Sequence, residues 1–330
     1  MRAGYNQYAP MAGIAALREA LARKIARLYG ARYGADDEIT IVASASEGLY
    51  ASISALVHPG DEVVYFEPAF DSHAPIVRLQ GATPVPIKLL PRGFRVDWEE
   101  VAAALSPRTR MIIINTPHNP TATVFGAGDI ARLTALTHGT GIVILSDEVH
   151  EHVVFDGAVH HSMARYPEVA ERSVIVCSFG KSYHVTGWRV GYCLAPAAMM
   201  SEIRKLHQFM AFAVDTPMQY AFVEGLADER GYLGLSAFYQ QKRDLLAGAL
   251  AGSRFELMPS EGSFFMLARF RGFSDEKDSD FALRLIRDFA VATIPLSAFY
   301  SDGTDHGIIR LSFAEDEATL LEGARRLCLV

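Results

Sequence analysis

The sequence predicts an α/β protein with a mostly parallel sheet and a smaller α+β domain at its C-terminal end. The first observation is that short apolar, β-branched runs alternate with helical patterns between residues 39 and 195. Such alternation is typical of a parallel sheet covered by helices on both faces. The second observation is that long helical patterns and only two further strand patterns follow residue 195. We therefore predict three layers in the larger part of the chain.

The elements can be placed from their periodicity. An amphipathic helix is predicted at 13–29, where apolar side chains recur at helical spacing. The strands of the main sheet are predicted at 39–43, 62–66, 83–88, 110–115, 142–146, 173–177 and 190–195, with helices at 47–57, 72–80, 97–105 and 127–138. Later helices are predicted at 198–211, 216–227, 235–251, 279–290 and 317–327, with strands at 262–267 and 308–313. We divide the chain into an N-terminal helical segment (1–36), a large domain (37–225) and a small domain (226–330).

Composition excludes several classes of protein. The 330 residues carry a formal net charge of -7 and no long basic run, which argues against nucleic-acid binding. No apolar run reaches membrane-spanning length and the first residues lack a signal-peptide pattern, so we predict a cytoplasmic protein. The three cysteines are odd in number and far apart, which disfavours a disulfide framework. A metal could be proposed at His150, His152 and Glu148. The sequence offers no further ligand for it, so we predict no metal site.

Ligands of open α/β sheets bind at the carboxyl ends of strands, and four such positions stand out. Ser44 to Glu47 lead directly from a strand into a helix, whose free N–H groups suit a phosphate, although Ser44 is equally compatible with a plain helix cap. Asn119 lies in a proline-rich loop after the strand at 110–115, where it is either a site residue or a turn residue. Asp147 is the first carboxylate after the apolar strand at 142–146.

The fourth position is Lys181, between Gly180 and Ser182. This triplet resembles the end of a phosphate-binding P-loop, but Ile175 stands where that motif requires glycine. The alternative is a lysine that condenses with a carbonyl cofactor, with Arg189 facing an anion. A helix N-terminus, an asparagine, an aspartate and a lysine together match the phosphate, phenolic oxygen, ring nitrogen and aldehyde of pyridoxal 5'-phosphate. A nicotinamide dehydrogenase is disfavoured because no Gly-x-Gly-x-x-Gly follows the first strand.

Four motifs carry a resemblance to a known family. They are Asn-Thr-Pro-His-Asn-Pro-Thr at 115–121, Ser-Asp-Glu-Val-His-Glu-His at 146–152, Ser-Phe-Gly-Lys-Ser-Tyr-His-Val-Thr-Gly-Trp-Arg-Val-Gly-Tyr at 178–192 and Ile-Arg-Leu-Ser-Phe at 309–313. In this order they resemble the class I/II aminotransferases of fold type I, and most of all the methionine/kynurenine aminotransferase branch. The resemblance runs from about residue 6 to the C-terminus and implies a pyridoxal-phosphate enzyme.

The resemblance implies roles for individual residues. Lys181 would bind the cofactor aldehyde and act as general acid and base, while Asp147 would pair with the ring nitrogen. Asn119 would contact the phenolic oxygen and the substrate, and Arg310 would bind the substrate carboxylate. The remaining cofactor-binding positions implied are Ala45, Ser46, Phe70, His150, Ser178, Arg189 and, toward a neighbouring subunit, Tyr8.

Two departures from the family pattern bear on function. His150 stands where the family usually has a tyrosine; its imidazole can donate the same hydrogen bond, but a charge near neutral pH would alter the pH optimum. The resemblance further leads us to expect that the N-terminal arm and lid, which the family carries before the position of Asn6, are missing.

We therefore predict a homodimeric aminotransferase that moves the amino group of an apolar, aromatic or sulfur amino acid, with methionine the leading candidate, to a 2-oxo acid. The alternatives are a C–S β-lyase on the same fold and a truncated module that binds the cofactor without catalysis.

Overall fold

The computed structural model describes residues 2–330, so Met1 of the predicted N-terminal segment lies outside it. The helices are α1 (Ala15–Tyr29), α2 (Ala45–Leu56), α3 (His73–Leu79), α4 (Trp98–Ala104), α5 (Ala127–Thr137), α6 (Pro167–Ala170), α7 (Phe179–Ser182), α8 (Ala197–Met210), α9 (Thr216–Ala227), α10 (Arg230–Leu233), α11 (Leu235–Leu250), α12 (Asp278–Phe289) and α13 (Glu317–Leu327). The strands are β1 (Ile39–Val42), β2 (Glu62–Glu67), β3 (Thr83–Lys88), β4 (Thr109–Asn115), β5 (Val143–Asp147), β6 (Ser173–Ser178), β7 (Gly191–Leu194), β8 (Glu256–Leu257), β9 (Phe265–Arg269), β10 (Ile294–Pro295) and β11 (Ile308–Ser312).

Seven strands form the main sheet in the order β1-β7-β6-β5-β4-β2-β3. β7 runs antiparallel to β1 and β6, and the other neighbouring pairs are parallel. The predicted mostly parallel sheet is therefore confirmed. Its carboxyl edge brings together the ends of β4, β5 and β6, because Asn115 pairs with Asp147 and Asp147 pairs with Val176.

Apolar side chains cover both faces of this sheet. In β4, Ile112 and Ile114 face one hydrophobic cluster, whereas Met111 and Ile113 face another. Successive side chains of a strand point to opposite faces, so a run of apolar residues requires cover on both sides. Residues of α1, α5 and α9 belong to the first cluster and residues of α2, α3 and α8 to the second. This arrangement forms the three predicted layers.

The C-terminal part contains a separate antiparallel sheet in the order β10-β11-β9-β8. A third hydrophobic cluster, which includes Phe270 and Phe281, packs this sheet against α11, α12 and α13. The smaller α+β unit is thus present, while the domain boundaries at residues 36/37 and 225/226 stay predictions. No helix within residues 2–330 is long and apolar enough to cross a membrane.

One strand begins later than the sequence predicts. The strand expected at 262–267 is observed as Phe265–Arg269. Ser263 has φ 60°, which is outside the extended region, and therefore interrupts the strand. Gly262 lies so close to the 153–154 segment that a Cβ there would stand 2.8 Å from the Val153 carbonyl oxygen. The turn at 262–263 thus delays β9 until Phe265.

Candidate active site

A cavity of about 200 Å³ lies at the carboxyl edge of the parallel strands. Its wall contains the predicted residues Ala45, Ser46, Phe70, Asn119, Asp147, His150, Ser178, Lys181 and Arg189. The fold therefore brings together side chains from the start of α2 and from the ends of three adjacent strands. The strand-end residues chosen from the sequence lie together in this wall, because parallel strands present their carboxyl ends at one edge.

The N-terminus of α2 forms one end of the cavity. Ser44 occupies the cap position with φ 85°, but its hydroxyl makes no capping hydrogen bond. The alternative reading of Ser44 as a hydroxyl cap is therefore wrong. Glu47 instead accepts a hydrogen bond from the Ala43 N–H at 2.8 Å. The first N–H groups of a helix lack intrahelical partners, so those of Ala45 and Ser46 are suited to an anion.

Gly191 allows the strands to approach this helix N-terminus. A Cβ at that position would lie 2.9 Å from the Ala45 nitrogen and 2.6 Å from the Cys177 carbonyl oxygen. Any larger residue would push β7 away from the start of α2. Glycine is thus required here for close backbone approach.

Asp147 is buried at the end of β5. One carboxylate oxygen accepts a hydrogen bond from the Val149 N–H at 3.2 Å, and the other lies 3.7 Å from His73 Nε2. The Asp147 carbonyl accepts hydrogen bonds from the Asn115 side chain at 2.9 Å and from the Thr116 N–H at 3.1 Å. The backbone of Asp147 is therefore fixed, while one carboxylate oxygen has only a distant neighbour and suits a cationic ring nitrogen.

Lys181 lies in the short helix α7 and is half-buried. Its Nζ stands 5.4 Å from the centre of the Phe264 ring. Burial lowers the pKa of Lys181, and the positive charges of Arg189 and Arg310 lower it further, while Asp147 opposes the shift. A larger fraction of neutral amine is therefore present near neutral pH than for an exposed lysine, as a nucleophile or general base requires.

Arg310 lies beside the cavity, on β11. Its guanidinium donates a hydrogen bond to Asn119 Oδ1 at 2.6 Å and stands 4.0 Å and 4.8 Å from the ring centres of Phe265 and Phe299. Burial lowers the pKa of Arg310 to about 10, which still leaves it charged at neutral pH. Within residues 2–330 no carboxylate lies within ion-pair distance of this guanidinium. Asp71 is the one carboxylate whose charge acts on Arg310, and it forms no ion pair with it. A half-buried guanidinium without an ion-pair partner is suited to an anionic ligand.

The family resemblance implies that Arg310 binds the carboxylate of the amino donor, and on that basis Arg310→Lys is expected to raise KM for the donor about 10- to 100-fold. Lysine retains the charge but loses the planar fork that pairs with a carboxylate and stacks between the two phenylalanines. The kcat value at saturating donor should fall less than kcat/KM, because most of the lost carboxylate binding is common to ground and transition states and only the orientation of the Cα–H bond affects kcat. Steady-state kinetics would measure both constants. Arg269→Lys, on the neighbouring strand β9, is the matched control; an unchanged KM in Arg310→Lys would contradict the assignment.

His150 is buried in the cavity wall. Neither ring nitrogen makes a hydrogen bond of ordinary geometry within the part of the chain that the structure describes, and the Pro117 carbonyl is the one backbone acceptor that favours its protonated form. Burial lowers the pKa of His150 to about 4, and the positive charge of Lys181 adds to this shift. His150 is therefore uncharged near neutral pH, a point that the sequence left open. A neutral, unpartnered imidazole in the wall is a potential hydrogen-bond donor to a ligand.

The lowered pKa of His150 predicts that the protein without cofactor is less stable in acid. Between pH 6.5 and 4 the unfolded chain binds a proton at this position and the folded chain does not, so stability falls as pH falls. From pH 7 to pH 5 the loss from this residue should be roughly 2 kcal/mol. In urea unfolding experiments, the free energy of unfolding should fall between pH 7 and pH 5 by roughly 2 kcal/mol less in His150→Tyr than in the parent protein. The exposed His138→Tyr is the control, and identical pH dependence in His150→Tyr and the parent would contradict the prediction.

Tyr8 does not line the cavity. Its side chain is 82% exposed and its ring meets Phe212 edge-on at 5.2 Å. Within one chain, Tyr8 therefore contacts none of the other predicted site residues through the interactions that the structure describes. Its role toward a neighbouring subunit stays a prediction.

Several site residues were not predicted as such. Asn115 fixes the loop that carries Asn119, since its side-chain oxygen accepts a hydrogen bond from the Asn119 N–H at 2.8 Å. Asn115 is the last residue of β4, so the selection of residues at strand ends could have identified it. His73 and the phenylalanines at 264, 265 and 299 belong to segments without a distinctive motif. Only folding brings them to the site.

The donor set fits a phosphorylated carbonyl cofactor. A helix N-terminus with Ser178 and Arg189 suits a phosphate, a half-buried lysine of lowered pKa suits a carbonyl, and His150 offers an unpartnered donor. Such a cavity at the edge of this α/β sheet defines an enzyme that works through a covalently held cofactor.

Comparison with known proteins identifies the family. The family model of aminotransferase class I and II matches residues 1–327. The methionine aminotransferase of Escherichia coli is 50% identical over 325 residues, which cover 98% of this chain and 84% of that protein. The probable N-succinyldiaminopimelate aminotransferase DapC of Mycobacterium tuberculosis is 34% identical over 340 residues, which cover 99% of this chain and 85% of that protein.

Two solved structures similar to this chain are also those of aminotransferases. The structure of YbdL from E. coli, reported with a methionine aminotransferase function, has a TM-score of 0.98 at 50% identity and covers 100% of this chain and 87% of that chain. The N-succinyldiaminopimelate aminotransferase from M. tuberculosis has a TM-score of 0.96 at 34% identity, covering 99% of this chain and 86% of that chain. The chain belongs to the class I and II aminotransferases. It is a transaminase, its cofactor is pyridoxal 5'-phosphate, and the resemblance inferred from the four motifs is confirmed.

Proposed function

We propose that this aminotransferase transfers the amino group of an apolar, aromatic or sulfur amino acid, with methionine the preferred donor, to a 2-oxo acid. The observation that carries the proposal is the position of Arg310, which is held by Asn119 and lies between Phe265 and Phe299. The guanidinium suits the carboxylate common to all amino acids, while the aromatic rings suit an uncharged side chain. The name of the E. coli relative supports methionine.

The cavity wall favours a donor with one carboxylate. Besides Lys181, the only cation among its lining residues is Arg189, at the end where the start of α2 suits a phosphate. A dicarboxylic substrate would place its second carboxylate against apolar or neutral side chains, which is unfavourable without a partner. We therefore expect glutamate and aspartate to be poorer donors than methionine or phenylalanine.

In this proposal the phosphate of the cofactor is bound by Ala45, Ser46, Ser178 and Arg189. Phe70 would pack against the ring, and Asp147 would stabilise a positive charge on the ring nitrogen. When bound, pyridoxal phosphate supplies the electron-accepting ring and the carbon that takes up the amino group.

The other polar groups act on the substrate and on the ring oxygen. Lys181 Nζ would take the proton from the substrate Cα and deliver it to the cofactor carbon that takes up the amino group. Arg310 and Asn119 orient the substrate through its carboxylate, so that the Cα–H bond faces Lys181. Asn119 and His150 donate hydrogen bonds to the phenolic oxygen of the cofactor.

We also propose that the active form is a homodimer in the cytoplasm. Phe212, which contacts Tyr8, is 48% exposed, and Phe209 at the end of α8 is 90% exposed. Large exposed aromatic residues in one area are typical of a protein interface. In a dimer, Tyr8 would contribute to the phosphate site of the partner. A single-chain mass in sedimentation experiments on the active enzyme would contradict this part of the proposal.

The proposal is tested by a donor screen on the cofactor-loaded protein. Methionine, phenylalanine, kynurenine, glutamate and aspartate are each offered with several 2-oxo acids, and the new amino acid is measured by chromatography. We expect methionine to give the highest kcat/KM. Release of pyruvate and ammonia from a sulfur amino acid without any acceptor would indicate β-elimination instead, and no turnover with any pair would contradict the proposal.

A further inference from the structure

A buried polar cluster lies directly behind the cavity. Its members are Lys24 and Tyr29 from α1, Glu151 from the turn after β5, and Tyr192 from β7. Lys24 Nζ donates to Glu151 Oε1 at 2.6 Å and to the Tyr192 hydroxyl oxygen at 3.0 Å. The Tyr192 hydroxyl donates to Glu151 at 2.8 Å, and the Tyr29 hydroxyl donates to the second Glu151 oxygen. One carboxylate thus accepts three hydrogen bonds from two elements.

The ion pair between Lys24 and Glu151 is enclosed by protein. The side chains of Lys24 and Glu151 are 5% and 3% exposed. Burial opposes ionisation of Glu151, but the charge of Lys24 and the hydrogen bonds hold the pKa of Glu151 well below its usual value. His152 Nε2 also lies 3.5 Å from Glu151, yet burial lowers the pKa of His152 to about 3, so it is neutral. Lys24 therefore supplies the balancing charge.

The cluster is connected to the catalytic cavity through a tight turn. The Glu151 N–H donates to the Glu148 carbonyl at 2.9 Å, and the Val153 N–H donates to the His150 carbonyl at 2.8 Å. His150 lines the cavity, whereas its neighbour Glu151 bonds to the cluster behind it. A shift of Glu151 would therefore move His150, and Asp147 lies only three residues before His150 in the same connection.

The cluster also reaches the strand that leads to Lys181. Tyr192 pairs across the sheet with Cys177, and the next residue, Ser178, lines the cavity. Lys24 thus contacts Glu151, which follows Asp147 in the chain, and Tyr192 on β7, which pairs with the end of β6 just before Lys181. A buried ion pair adds little net stability over apolar side chains of similar size, so a role in specifying position explains its presence better than a role in stability.

We propose that Lys24, Glu151 and Tyr192 are positioning residues, which hold the 147–152 turn so that Asp147 and His150 face the cofactor. The inference rests on the proposed roles of Asp147 and His150 in binding pyridoxal phosphate. By this proposal α1 has a part in the reaction, although none of its side chains lines the cavity. Displacement of a catalytic group by about 1 Å can cost on the order of 100-fold in rate, so a small shift of the turn is enough.

The experiment compares Glu151→Gln and Lys24→Met with the parent protein. For each, the affinity for pyridoxal phosphate is measured by absorbance titration of the apo-protein, kcat and KM are measured on the loaded enzyme, and unfolding is followed in urea. We expect kcat to fall about 10- to 100-fold with KM within about twofold, and the affinity for the cofactor to fall at least about fivefold. The affinity measurement does not require turnover, so it tests the inference even if the donor screen fails.

Glu62→Gln is the matched control. Glu62 is also a buried carboxylate with three hydrogen bonds, from Ser106 and Arg108, but it lies at the opposite end of the sheet from the cavity. This variant is expected to lose stability without a change in kcat or cofactor affinity. If Glu151→Gln and Lys24→Met behave in the same way as Glu62→Gln, the positioning role is wrong and the cluster is only structural.

Tyr192→Phe covers the case in which the charge variants do not fold. It keeps the buried ring and removes only the hydroxyl that contacts Lys24 and Glu151. We expect a folded protein with kcat lowered about two- to fivefold at unchanged KM, together with a blue or red shift of the bound-cofactor absorbance maximum. Parent values for both kcat and the absorbance maximum would overturn the proposal.

Discussion

Replacing Lys181 with alanine is expected to lower kcat for transamination by about 10⁴-fold or more. The substitution removes both the amine that binds the cofactor covalently and the group that moves the proton at the substrate Cα. In the structure, Lys181 is the only lysine among the residues that line the cavity, so no neighbouring amine can replace it. The variant should still bind pyridoxal phosphate, because Ala45, Ser46 and Ser178 remain.

Two measurements separate this expectation from general damage. Borohydride reduction followed by mass spectrometry should attach the cofactor to the parent protein and leave Lys181→Ala unlabelled. Lys205→Ala removes an exposed lysine of α8 that pairs with Glu202, and it should retain parent activity and labelling. Full turnover by Lys181→Ala would exclude the proposed mechanism. Added methylamine, which can partly replace a lost lysine amine, should restore a small part of the activity.

Much of the site could be predicted because its residues follow strands. Parallel strands end at one edge, so Asn119, Asp147 and Lys181 were expected to meet although they are separated along the chain. Apolar runs such as the one in β4 predicted strands covered on both faces, and the two clusters around the sheet agree with that. The position of Arg310 beside Asn119 required the family resemblance, since these residues are 191 positions apart.

Other parts of the site depend on tertiary packing that periodicity does not encode. Lys24 and Glu151 are separated by 127 residues, and neither lies in a pattern that predicts a contact. The low pKa of His150 follows from complete burial next to Lys181, whereas the sequence alone left its charge open. The start of β9 depends on the backbone of Ser263 and on the approach of Val153, both of which result from the fold.

Replacing Asp147 with asparagine is expected to lower kcat about 10²- to 10³-fold. Asparagine has nearly the same shape, and its Oδ1 can still accept the hydrogen bond from the Val149 N–H. It carries no negative charge, so it cannot stabilise a positive charge on the ring nitrogen of the cofactor, and that charge is needed for the ring to accept electrons. Kinetics on the loaded variant would measure kcat, and absorbance titration would measure the affinity for the cofactor.

The Asp147→Asn variant tests the charge of Asp147 and leaves its packing nearly unchanged. Asp156→Asn is the control, because Asp156 pairs with Arg243 outside the cavity wall and should tolerate the same change of charge. His73 lies 3.7 Å from Asp147, too far for a strong hydrogen bond, so His73→Asn should lower kcat far less than Asp147→Asn. Equal losses in His73→Asn and Asp147→Asn would mean that both act through the packing of the cavity wall, and parent activity in Asp147→Asn would remove Asp147 from the mechanism.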